Sequence, residues 1–162
     1  MILTAFTAAH VVLSLVGIFS GFVVVFGMLA AKRLDGWTAV FLVTTAATSL
    51  TGFLFPFHKF LPAHATGIVS VLVLAVAIFA RYGRHLAGGW RRTYAIAAVV
   101  ALYLNVFVLI VQLFLKVPAL QAMAPTQTET PFKLAQLAVL ALFVVLGALA
   151  SARFHNQQPH AT

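Results

Sequence analysis

Apolar residues accumulate in five long runs along this chain, at about 6–31, 37–55, 64–82, 94–114 and 132–154. Each run holds roughly 19 to 26 residues and, as a helix rising about 1.5 Å per residue, matches a hydrocarbon core about 30 Å thick. The pattern predicts an all-α fold: an integral membrane bundle of five transmembrane helices, forming a single membrane domain over 1–162. Polar breaks fall between the runs. The turn at 31–36 is short enough to force antiparallel neighbours. Pro56 ends the second run, because its ring and missing N–H cannot continue a helical ladder. Gly88 and Gly89 break the third connection. In the long fourth connection Pro118 opens a short helix through Met123, and Thr130–Pro131 reads as an N-cap followed by proline at the first helical position.

Composition agrees with a lipid solvent: 63% of residues are hydrophobic and 7% charged, with a mean hydropathy of +1.08. The first run is expected to be retained. No positive charge precedes it, it exceeds a secretory h-region in length, and Leu29 stands where cleavage after Ala31 needs a small residue. No internal repeat is evident, and five spans do not divide into equal inverted halves.

The formal net charge of +8 is read as topology. Lys32, Arg33, Arg81, Arg84, Arg91, Arg92 and Arg153 fall on one side; Lys59, Lys116 and Lys133 fall on the other. Short loops rich in Lys and Arg stay cytoplasmic, so the amino terminus is expected outside and the carboxyl terminus inside. The expected location is a bacterial inner membrane, with Trp37, Tyr82, Trp90 and Tyr94 at the inner interface and anionic lipids beside them. Nucleic acid is excluded as a partner because no separate basic domain carries the charge.

Two further absences narrow the chemistry. Without cysteine there is no thiolate nucleophile, iron–sulfur cluster or covalent haem attachment. The acids are Asp35 and Glu129, in loops on opposite faces, so no carboxylate pair forms and no acid lies within the bilayer. The sequence leans away from an enzyme.

Polar residues inside lipid are therefore the informative ones. Gly17 and Gly21 form a GxxxG on the first helix, which admits a close neighbour. Thr44, Thr48 and Thr51 stripe the second helix, and Asn105 lies near the midplane of the fourth, serving either helix packing or a polar path. At the outer end His10, His58, His64, Gln112, Lys116 and Gln136 are expected to converge among phenylalanines, a polar cluster in an aromatic mouth. The expected function is a small binding or accessory module, working as a homo-oligomer or within a larger membrane complex. One alternative is an oligomeric anion or small-solute channel with Lys116 at its mouth. Another is a redox protein holding b-haem or quinone, haem b being the leading cofactor candidate. A metal, if bound, would fall to His10, His58 and His64.

Overall fold

The computed structural model describes residues 2–56 and 62–155. Among the described residues the chain is all-helical, with no strand. The helices are α1 (Ile2–Leu29), α2 (Asp35–Gly52), α3 (Pro62–Ile78), α4 (Trp90–Lys116), α5 (Pro118–Met123) and α6 (Thr130–His155). A helix occupies each of the five predicted apolar runs, and α5 is the short helix expected after Pro118. Four segments are long and apolar enough to cross a membrane: Thr4–Leu29, His64–Gly83, Trp90–Lys116 and Thr130–Phe154.

α4 is the central helix, packed against α1, α3 and α6, while α2 lies against α1 and α3. Side-chain pairs give the directions. Along α1 and α2, His10 meets Thr51, Gly17 faces Thr45 and Gly21 faces Phe41, so the two run antiparallel. Along α4 and α6, Phe114 meets Phe132, Tyr103 meets Phe143 and Tyr94 meets Phe154, again antiparallel. Phe22 against Phe143 and Leu29 against Arg153 make α1 and α6 parallel.

Small residues set the closeness of these contacts. Ala77, Ala80, Ala95, Ala98, Ala101 and Ala150 are fully buried, and a methyl group lets neighbouring backbones approach closely. Tyr94, Phe41, Phe154, Met28 and Leu102 fill the remaining core. The outer surface is as apolar as the core: Phe19, Val43, Leu72 and Val144 are each more than 60% exposed. In water such a surface would drive association; in a bilayer it meets lipid tails.

Helix α3 continues into a π-helical turn, Phe79–Gly83. The sequence carries no proline or glycine that would have marked its start. The turn leaves Arg81 only 3% exposed. Its guanidinium lies 5.2 Å from the centre of the Tyr94 ring, donates to the Asp35 carboxylate, and donates to the Arg33 carbonyl at 3.3 Å. Tyr94, expected among the interfacial rings, lies at that end of the bundle but is fully buried, because it is the surface on which Arg81 rests. One ion pair and one cation–π contact thereby tie the end of α3 to the start of α2 and to α4.

Candidate functional site

His10 is the centre of the end expected to face outward. It sits on α1 opposite the last turn of α2, where its Nδ1 is 2.8 Å from Thr51 Oγ1. Thr51 has one hydroxyl proton, and it donates that proton to the Ala47 carbonyl at 2.6 Å. The threonine oxygen is then the acceptor for His10, which places the proton on Nδ1. In the neutral ring Nε2 is left as the lone pair, able to accept a hydrogen bond or ligate a metal. A fixed Nδ1–H is the arrangement that orients histidine ligands in metalloproteins. Phe55 meets the ring edge-on at 5.0 Å between centroids, and Phe6 packs on Phe55 at 4.9 Å.

His64 stands at the start of α3, 9% exposed, with the Phe53 ring 6.4 Å away. Alternate residues of the chain leaving α2 thus serve two histidines: Thr51 and Phe55 contact His10, and Phe53 contacts His64. His58 lies outside the described residues, as does Lys59. Lys116 ends α4, exposed, with its ammonium within electrostatic reach of His10. Gln112 is half-buried one turn earlier on the same helix.

Gln136 reaches inward from α6. Its Nε2 donates to the Phe107 carbonyl at 3.3 Å, while its Oε1 is buried with no hydrogen-bond partner. Asn105, near the middle of α4, donates from Nδ2 to Thr45 Oγ1 at 3.3 Å. Thr44 and Thr48 return their hydroxyl protons to Val40 and Thr44 carbonyls on their own helix, the usual recourse of threonine in lipid. A Cβ added at Gly17 would stand 3.1 Å from Thr45 Oγ1, and one at Gly21 would stand 2.6 Å from Leu102 Cδ1. At these glycines α1 approaches α2 and α4 closely.

The expected outer set therefore divides. His10 and Thr51 form a clasp between α1 and α2, His64 pairs with an aromatic ring, and Gln136 ties α6 to α4 below them. Among the described residues no group of three or more histidine, cysteine or acidic side chains stands close enough to hold a metal ion. At the opposite end the structure shows a buried group that the sequence reading left at the surface, Arg81 over Tyr94. The available signal was Asp35, the one acid in the sequence at this arginine-rich end, which draws a cation to it. No family model, curated protein or solved structure matches the chain.

Proposed function

We propose that this is a five-span protein of a bacterial inner membrane, with its arginine-rich end in the cytoplasm and its amino terminus outside. α2 supports the fifth span although its mean hydropathy is lower than that of the other four. Its polar residues turn inward, with Thr38, Thr45 and Ser49 buried, while Val40, Val43 and Leu50 face out at 41%, 67% and 59% exposure. Its 18 residues reach about 27 Å.

Within that frame the protein is a small membrane-embedded binding module, and its ligand-contacting end is the one holding His10. The observation that carries this reading is the His10–Thr51 bond. It fixes one tautomer and keeps an imidazole acceptor at an aromatic mouth with the Lys116 cation in reach. The polar groups deeper in the bundle support binding over permeation. Asn105 is engaged by Thr45, and the Thr44 and Thr48 hydroxyls are engaged by their own helix, so these side chains hold helices and leave no free polar row for solutes.

The same bond favours a second reading, in which Nε2 would be a ligand to the iron of a b-haem. One preparation tests both. Protein purified in mild detergent is extracted with organic solvent, and wild type is compared with His10→Ala by mass spectrometry and by absorption at about 400–430 nm. A small molecule retained by wild type and missing from His10→Ala supports the module, and a visible band lost in that variant makes the molecule haem. Identical extracts from two folded proteins would remove the binding reading.

A further inference from the structure

A groove of about 370 Å³ lies between α4 and α6, away from His10. Its walls are Ile96, Val99 and Val100 on α4 and Leu140, Val144 and Gly147 on α6. Arg92 stands at one end and Tyr103 at the other. The eleven-residue step between them spans about 16 Å of helix. Half of a hydrocarbon core is about 15 Å. The groove therefore starts at the arginine-rich end and runs one leaflet deep, to the middle of the bundle.

We propose that this groove is a binding site for one anionic phospholipid, its phosphate on Arg92 and one acyl chain lying between α4 and α6. Three observations fit that occupant. The walls are mostly aliphatic, with Phe143 and Ser151 among them, and open sideways, where lipid tails are. Gly147 supplies the width: a Cβ there would reach only ordinary contact with Val99, at 3.5 Å. Among the described residues no acid pairs with the charge at the mouth. Arg92 is exposed, and Arg153, on the same helix as the groove's α6 wall, donates to the Leu29 carbonyl. Asp35, the acid at this end, is already taken by Arg81 and Arg33. An anionic headgroup supplies the missing negative charge, at about 1 kcal/mol per basic residue near a membrane surface, or about fivefold in affinity. The inference stands apart from the reading of His10, which lies at the other end of the bundle.

Native mass spectrometry of the full chain tests it, using phosphatidylglycerol and phosphatidylcholine with identical acyl chains. Wild type is expected to retain one phosphatidylglycerol per chain in preference to phosphatidylcholine. Arg92→Gln should reduce that preference about fivefold, and Gly147→Leu, which fills the groove, should abolish retention of both lipids. Arg84→Gln is the control, since Arg84 lies over the Trp90 ring at 5.4 Å and outside the groove; its lipid retention should match wild type. Equal losses in Arg92→Gln and Arg84→Gln would overturn the site in favour of general attraction to a basic rim. Undiminished retention in Gly147→Leu, or loss there of a cross-linked dimer with no change in lipid, would also overturn it. Should Gly147→Leu not fold, the comparison of the two arginine variants still decides.

Discussion

Polar atoms in this molecule follow two rules, set by the solvent around them. Inside the bundle there is no water to fall back on, so most amides and hydroxyls take a partner on a neighbouring helix or on their own backbone; the Tyr94 hydroxyl and Gln136 Oε1 are buried without one. Asn105 uses Thr45, Gln136 uses the Phe107 carbonyl, and His10 uses Thr51. Outside the bundle, Glu129 organises a loop. Its carboxylate accepts from the Thr126 amide at 3.2 Å, the Thr126 hydroxyl at 2.7 Å and the Thr128 amide at 3.0 Å. These hydrogen bonds, the Thr126 hydroxyl first, hold its pKa below the ordinary value of 4.5, because they favour the charged form. The sign follows from linkage. A depressed carboxylate pKa contributes stability that is fully present above the unfolded value and is lost as pH falls through the lower folded value. Amide exchange at Thr126 and Thr128, corrected for intrinsic rate, is therefore expected to be slow at pH 6 and to accelerate once the pH falls below the ordinary carboxylate range. Glu129→Gln should exchange fast at both pH values. Protection that persists unchanged in Glu129→Gln would show that the carboxylate does not order the loop.

Elements were legible where one residue type decides locally. Pro56, Pro118 and Gly88 mark breaks, and unbroken apolar runs mark helices. What stayed hidden depends on residues far apart in the chain. Nothing in the fourth run names Thr45 as the partner of Asn105, 60 positions away. The π-turn at Phe79–Gly83 has no composition of its own, and it carries Arg81 to its partners Asp35 and Tyr94. That His10 and the start of α3 share one end was legible, since alternate antiparallel helices return to the same end, but the clasp of His10 on Thr51 needed the register of α1 on α2. That register rests on the glycines. At Gly21 a Cβ would fall 2.6 Å from Leu102 Cδ1 and 2.9 Å from Phe41 Cε1, and both neighbours are fully buried. Neither ring nor methyl has room to retreat, so Gly21→Ala should destabilise by about 1–3 kcal/mol, the usual penalty for overpacking. Gly36, with nothing within 4 Å of an added Cβ, is the control, and Gly36→Ala should lose nothing. Thermal unfolding in detergent reads the difference, and equal melting temperatures would mean that α1 does not approach α2 and α4 as closely as described.

For the whole molecule, five spans require α2 to cross the bilayer, whereas a four-span bundle would lay it along the surface. The two cases differ in where its ends emerge. If α2 crosses, the 31–36 turn and the 84–89 turn share one side, while the residues after α2 share the other side with the 124–130 loop. If α2 lies flat, both of its ends emerge together. The inward threonines and outward valines of α2 argue for crossing, since a surface helix would turn its hydroxyls to water. The Asp35–Arg81 pair argues the same way, because it joins the start of α2 to the end of α3 at one level. A chain without cysteine makes the test clean: each introduced thiol is the sole target for a membrane-impermeant maleimide. Gly36→Cys, Leu54→Cys, Ala87→Cys and Thr128→Cys place that thiol at exposed positions. In intact cells Leu54→Cys and Thr128→Cys should label, and Gly36→Cys and Ala87→Cys should label only after permeabilisation. Labelling of Gly36→Cys and Leu54→Cys together would lay α2 on the surface and reduce the bundle to four spans. The mirror-image pattern would keep five spans and reverse the protein in the membrane, against the seven basic residues at the Arg81 end.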